Sequence, residues 1–598
     1  MPLTRFFTVA IAGLSTCAAL VLSGCDNSIL EATPRDQLSN RAVFADPNLA
    51  EASLNDIYRG VGHGLNGTTL WSLTDDGHNT RFGGTTQHMQ SLITPSSLGT
   101  MGGGRFDHYL WGPLYKSIRN TNIFLTQIDS ATFDETRRLR MKGEAFFLRA
   151  YFYHNLLRIY GGVPIIKQVY ELDDDFVIAR NSFEQTVEAV VADADSAAAL
   201  LPVAQSATAL GRATKGAALT LKARTLMYAA SDLANLNPGR LPETGYTTPG
   251  DRAAKWRRAQ AAAKSVIDLG VYSLFRGNPA QGENTADNYA ALWLNPTNSE
   301  VIFGRYFLAS RGTVDIPNVG RYDGPNGYHN WGSNTPTQNL VDAYRMADGS
   351  KFSWNNPVHA ASPYANRDPR FYATIHFDGS KWVPRPSDAV ALDPVGIIQT
   401  FTKVTLPNGN TVPGLDSRAG PIENWNGTYS GYYKRKAINP AVDHQFVSQE
   451  VPWYFFRYAE VLFDYAEASI ELGDEAAARS AINQVRRRAG MPAIDGAFTG
   501  AALRDEYRNE RRIELVFEEQ RYFDARRWMI APQAFGEAAH GIDITAQATN
   551  ALDRSTYRNY TYKLIDVEPR AWNDRMYFNP IPRDEMNRNS LLKQNPGY

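Results

Sequence analysis

The 598-residue chain is short of cysteine, of net charge and of long apolar runs, and each shortage closes off a class of function. Two cysteines, Cys17 and Cys25, are too few for a disulfide framework or a multi-cysteine metal site. With 61 basic against 62 acidic side chains the net charge is −1, which removes the electrostatic footprint of a nucleic-acid binder. Only one apolar run, Phe6 to Leu22, nears the ~18 residues that a membrane span requires. There is no HExxH, no close His pair, no GxSxG elbow and no Walker-type loop, so neither a metal nor a cofactor is expected. The GxGxxG at 62–67 follows a helical pattern and enters a loop, whereas a dinucleotide site needs a strand before it and a helix after it. Asp173, Asp174 and Asp175 read as a solvated acidic turn in preference to a calcium site. Aromatic residues are what the chain has in excess: 30 Tyr, 28 Phe and 11 Trp, in a composition that is 43% hydrophobic and therefore globular.

The first 25 residues have the layout of an export signal, with one cation at Arg5, the apolar run, and then Leu22-Ser23-Gly24-Cys25. That tetrapeptide resembles the lipobox of bacterial lipoproteins. The resemblance implies that residues 1–24 are removed and that the Cys25 thiol carries a diacylglycerol. At ~0.8 kcal/mol per buried CH₂, several acyl chains on one cysteine anchor a protein durably. Residues 25–45 read as a polar tether, and no later window is long and apolar enough to span a membrane. The lipid is therefore the only membrane attachment expected.

Beyond the tether the sequence reads as a single mainly α domain, 46–598. Helix pairs are expected over about 108–270 and 453–530. The first runs from Tyr109 to Ile128 and from Glu135 to Tyr160, where Gly161-Gly162-Val163-Pro164 is a strong stop. Phe183 to Leu201, Lys215 to Leu233 and Arg252 to Asp268 follow. The last pair, Tyr454 to Leu472 and Asp474 to Ala489, turns at Gly473, and a further helix is read from Leu503 to Trp528, followed by a proline-containing tail. Hairpins of this length with Ala and Gly at their contacts have tetratricopeptide-like character. Residues 271–452 differ: Gly, Pro, Asn and Asp recur between short strand-like runs at 300–303 and 395–404, with one helix near Thr337 to Tyr344. The reading is a helical scaffold carrying a large irregular insertion, and an irregular loop at 60–105.

Six stretches, in order, match one family pattern: GEAFFLRA at 143–150 with YGGVP at 160–164; RDPRF at 367–371; GYYKRK at 431–436; FRYAEV at 456–461 with YAEA at 465–468; NERRIEL at 509–515 with QRYFD at 520–524; and PIP at 580–582 with QNPGY at 594–598. Together with the lipobox they resemble the SusD/RagB family, surface lipoproteins that capture nutrients. The resemblance implies an outer-membrane protein lying as a lid on a SusC-like TonB-dependent transporter, to which it delivers a glycan or, less often, a peptide. The charged residues in these motifs repeat as helical faces: Arg457, Glu460, Asp464 and Glu467 on one helix, Glu510, Glu514 and Glu518 on another. Faces of this kind point to interhelical ion pairs, not to acid/base catalysis.

A glycan site needs flat aromatic faces for the sugar's C–H surface, with carboxylates, amides and Arg beside them for its hydroxyls. Two loop segments hold that mixture, 71–81 and 321–331, and the candidate ligand residues are Trp71, Asp75, Asp76, Asn79, Arg81, Tyr328 and Trp331. Near-neutral net charge fits an uncharged sugar better than a polyanion. Trp111, Trp256, Trp453 and Trp528 fall in helical patterns and are assigned to the core. The alternatives to non-catalytic glycan binding are a surface or periplasmic glycoside hydrolase using loop carboxylates such as Asp75 and Asp323, a peptide binder of the same family, and a scaffold that binds only proteins.

Overall fold

The computed structural model describes residues 40–598 apart from 82–84, 99–105, 172, 249 and 308–315. The expected signal segment 1–24 and Cys25 lie outside the described residues. The expected tether is shorter than its 25–45 reading, because Asn40–Ala45 is already helical (α1) and Phe44 is buried edge-on against Phe124.

The scaffold is a run of helices, each packed on the next. Pro47–Arg59 (α2) is capped by Asp46, and Trp111–Ile128 (α3) packs on Glu135–Tyr160 (α4). Asp134 caps α4, and Gly161 ends it at φ +83°, a left-handed turn that only glycine adopts without strain. Phe183–Leu200 (α5) opens with a reciprocal Ser182–Gln185 capping box, and Lys215–Ala230 (α6) and Arg252–Ile267 (α7) follow. The chain then leaves for nearly 200 residues and returns as Tyr458–Glu471 (α8), which packs directly on α7 and on Glu475–Ala489 (α9) and Gly500–Glu514 (α10). The insertion therefore interrupts the sequence but not the stack. Ala217, Ala218, Ala259, Ala263, Ala459, Ala466 and Ala478 are fully or almost fully buried along it, where small side chains let helix axes approach. Trp111, Trp256, Trp453 and Trp528 are all buried, as expected.

Three expectations need correction. Trp453–Arg457 is a strand, not the start of a helix: five successive buried residues pair antiparallel with Val301–Arg305, so that α8 begins only at Tyr458. The helix read from Leu503 to Trp528 breaks between α10 and Gln520–Arg527 (α11), where Phe517 and Glu519 take left-handed φ values of +64° and +62°. The stretch after Trp528 is more than a proline-containing tail, because Ala539–Gln547 and Arg558–Glu568 form an antiparallel ladder extended by Lys403–Thr405 and Thr411–Val412. Within the insertion, Val301–Arg305 and the Gln338–Ala343 helix stand where expected, while of the 395–404 run only its end is a strand. A ten-residue helix at Thr285–Leu294 was not foreseen.

Helical scaffold and insertion are joined by buried ions. Arg457 pairs with Glu300 at 2.6 Å, Glu514 at 2.7 Å and Glu518 at 2.7 Å. Arg488 reaches Glu300 and Glu514, and Arg370 of the insertion reaches Asp368, Glu510 and Glu514. A second cluster links Arg511 to Asp464 and Asp524, and Arg527 to Glu467 and Asp524. Asp368, Arg370, Arg457, Glu467, Glu510, Arg511, Glu514 and Asp524 belong to the motifs at 367–371, 456–461, 465–468, 509–515 and 520–524, so the ion-pair reading of them is correct, although Arg457 lies on the strand before α8 and Glu518 beyond the end of α10. Burial alone would push Glu514 up, but Arg488, Arg457 and Arg370 outweigh it and hold its carboxyl far below the usual range.

Candidate functional site

The two loop segments singled out by their composition meet. Strand Gly77–Asn79 pairs antiparallel with Asn334–Pro336, Asn79 opposite Asn334, and the Asn79 amide donates to Asn334 Oδ1 at 2.9 Å. Thr80 N–H donates to the Ser333 carbonyl at 2.8 Å, and its hydroxyl to the Gly332 carbonyl at 2.7 Å. A third loop, 415–433, closes against them: Asn326 Nδ2 donates to the Ile422 carbonyl at 2.6 Å, and Tyr433 OH donates to Asn326 Oδ1 at 2.6 Å. Gly332 has φ +49°, and a Cβ there would lie 2.6 Å from the Asn426 carbonyl oxygen, so the approach of these loops requires glycine.

Convergence does not put every candidate at the surface. Trp71 is 1% exposed, tilted against Phe517 at 4.4 Å, and a Cβ on Gly77 would collide with its ring. It belongs to the core between insertion and C-terminal ladder and presents no face to solvent. Asp75 is held by Arg521 through two hydrogen bonds of 2.8 and 2.9 Å and by Arg512 at 3.0 Å, and Asp76 by Arg512 at 2.7 Å. Burial alone would raise Asp75, yet the two guanidinium groups hold it down; burial with the adjacent Asp75 charge keeps Asp76 raised. Asn79 is buried in its ladder. Tyr328 is buried too, its hydroxyl donating to the Val383 carbonyl at 2.8 Å and its ring facing Arg385 at 4.3 Å. These five fix the loops in place. Of the sequence candidates, Arg81 and Trp331 reach the surface.

Around them lies a surface that the motifs did not point to. Arg81 stands over Trp331 at 5.0 Å and donates to Ser333 Oγ at 3.0 Å and Asn426 Oδ1 at 2.9 Å. Arg321 stands over the same ring at 4.9 Å, and Tyr322 packs beside it at 5.6 Å. Next to Asn426, in the turn Asn424–Asn426, Trp425 is 69% exposed and makes no ring contact among the described residues. Arg418 donates to the carbonyls of Trp425 and Gly427 and lies 3.9 Å over the Tyr429 ring. His329 bridges Glu423 and Asp388, each at 3.0 Å, with His329 and Glu423 both in the left-handed region. Burial would lower the imidazole pKa, but the two carboxylates raise it above the ordinary value. An exposed indole flanked by amides and guanidinium groups can stack on a sugar face and hydrogen-bond its hydroxyls. Trp425 was legible only as an aromatic in the polar stretch Asn424-Trp425-Asn426-Gly427.

The carboxylates weighed for hydrolysis are both committed. Asp323 is buried on Lys434 at 2.9 Å and Asn334 at 2.8 Å, and Asp75 on its arginines, so neither offers a free acid or base. Among the described residues no group of three or more His, Cys, Asp or Glu is arranged to hold a metal ion, and no helix is long and apolar enough to cross a membrane. An open groove of about 600 Å³ between α5, α6 and α7 has its Glu188–Arg258 and Asp195–Lys222 charges paired across it and lies on the scaffold, not on the loop surface.

Comparison with known proteins agrees with this architecture over nearly the whole chain. A family model described as the SusD family matches residues 282–598, and one described as starch-binding associating with outer membrane matches residues 83–227. A SusD-like protein of Formosa agariphila is 24% identical over 502 residues, 82% of this chain and 80% of that protein. The crystal structure of a SusD-like protein from Bacteroides fragilis superposes with a TM-score of 0.73 at 27% identity, covering 95% of this chain and all of that one. A SusD-like carbohydrate binding protein from the same species gives 0.71 at 23%, covering 92% of this chain and all of that one. A laminarin binding SusD-like protein gives 0.59 at 20%, covering 92% and 99%.

Proposed function

Because this chain belongs to the SusD family, we propose that it is a non-catalytic glycan-binding lipoprotein of the outer membrane, surface-exposed and anchored through Cys25, that passes its ligand to a SusC-like TonB-dependent transporter. Related structures described as carbohydrate binding and laminarin binding support glycan as the ligand class, and the family description of association with the outer membrane supports the location. The observation that carries the reading on this molecule is Trp425, an exposed indole on a loop cluster tied together by hydrogen bonds through Asn326 and Tyr433. A rigid platform binds with less ordering cost than a mobile one. The ligand surface is accordingly Trp425, Arg81, Trp331, Arg321, Asn426 and Arg418, with Trp71, Asp75, Asp76, Asn79 and Tyr328 as its supports.

The test is retardation of the soluble protein, residues 26–598, in native gels containing each of a panel of polysaccharides, with an assay for new reducing ends on the same samples. Retardation without new ends supports capture. New reducing ends from any member would replace this function with a hydrolase. Anchoring is read separately: radiolabelled palmitate is incorporated by the wild type and not by Cys25→Ala, protease shaving of intact cells removes the protein, and a barrel-sized partner co-purifies with it.

A further inference from the structure

The arginines of the loop surface are paired differently from those of the scaffold joint. In the scaffold, Arg457, Arg370, Arg488, Arg511 and Arg527 each face two or three carboxylates. At the loops, Arg418 donates to two carbonyl oxygens, neutral acceptors that orient a guanidinium without neutralising it. Arg321 goes further. Its backbone is fixed twice, by the Asn318 cap at 3.1 Å and by the Trp331 N–H on its carbonyl at 2.7 Å, and its guanidinium lies over the Trp331 ring. Yet among the described residues that guanidinium has no hydrogen-bond acceptor and no carboxylate within ion-pair distance, and its Nε is a buried donor left without a partner. A buried donor left open bears its desolvation cost uncompensated, so such a group calls for an explanation. The acidic residues nearby do not supply one: Glu423 and Asp388 are spent on His329, Glu423 also accepts from Asn426, and Asp323 is spent on Lys434.

We propose that the glycan captured at this surface is acidic, and that its carboxylate or sulfate group is received by the Arg321 guanidinium beside Trp331 while a sugar ring stacks on Trp425. A guanidinium presents a planar fork of donors that matches carboxylate and sulfate oxygens, and a ring beneath it holds the fork's plane. Arg418, oriented by neutral oxygens, adds positive potential beside the same cluster. The near-zero net charge of the whole chain does not oppose this, because recognition of one acidic group is local to the Arg321 guanidinium. The inference rests on the glycan-binding reading and specifies which glycans.

The experiment compares polygalacturonate, the same polymer with its carboxyl groups reduced to alcohols, chondroitin sulfate, laminarin and dextran, by native-gel retardation and by titration calorimetry at 50 and 500 mM NaCl. Retention of at least one anionic polymer with at least tenfold loss in high salt, and at least tenfold loss in Arg321→Gln with partial return in Arg321→Lys, is the expected result. The Arg321→Gln protein is checked for an unchanged thermal midpoint, and Arg418→Gln provides a second variant whose side chain is exposed. Binding to polygalacturonate that survives carboxyl reduction, or binding confined to laminarin and dextran, overturns the inference and leaves glycan capture standing. Failure to bind any of the five polymers counts against both.

Discussion

The scaffold joint and the loop surface use the same side chain for opposite ends. At the joint, Arg457 and Arg370 are buried with three acceptor carboxylates each, and the pairs lock insertion to helices. At the loops, Arg321 and Arg418 lie over the rings of Trp331 and Tyr429 and, among the described residues, pair with no carboxylate, which in the proposal leaves their charge to a ligand. Burial decides between the two: a charge removed from water must be answered within the protein, whereas a charge at a rim can wait for a ligand. Motif-bearing residues are therefore the architecture, and the residues proposed to touch ligand lie between motifs.

That contrast can be broken first at the joint. Glu514→Gln leaves Arg457, Arg488 and Arg370 short of one carboxylate, and removing one partner of a buried ion cluster costs about 3–5 kcal/mol. Urea unfolding should show that loss, while the fraction still folded retains its glycan affinity; a change of a few tenths of a kcal/mol would mean the lattice is not what joins the two halves. The next largest effect is acid lability. Burial alone would raise Glu467, but Arg527 outweighs it and lowers its pKa from the ordinary 4.5 to about 2. A carboxylate with a depressed folded pKa contributes stability that is complete above its unfolded value and lost as pH falls through the folded one. For Glu467 this is on the order of 3 kcal/mol at 1.36 kcal/mol per pKa unit, lost between about pH 4.5 and 2, and a Glu467→Gln protein should show a shallower acid limb in its stability profile. The smallest effect belongs to the rim. His329 has a folded pKa raised by Glu423 and Asp388, so its tie between the two loops is complete below the ordinary 6.5 and is released as pH rises through the raised value. Amide exchange at 423–427 should quicken on that rise in wild type, and a His329→Asn protein should lack the step; identical profiles would remove the histidine from the account.

Much of the scaffold was legible in the sequence because its signals are local. The Gly161 stop, the Gly473 turn and the 3.6-residue spacing of charges on α8 and α10 each declare themselves within one element. Misreadings arose where a distant partner decides. The 453–456 stretch is aromatic throughout and reads equally well as helix or strand until Val301–Arg305 pairs with it, and the turn after α10 breaks a helix because Phe517 swings onto Trp71. The site was half legible. Composition pointed to two loops that do converge, but it ranked residues by chemistry, and chemistry does not show exposure. Trp71 and Trp425 are the same residue type in similar polar loops; Gly77 and Phe517 bury the first, and nothing among the described residues covers the second.

The most direct test of this division is the affinity of a Trp425→Ala protein for whichever polysaccharide retards the wild type. Loss of at least tenfold, about 1.4 kcal/mol, with an unchanged unfolding midpoint is the predicted result. Undiminished affinity in that variant would contradict the placement of the ligand surface on these loops.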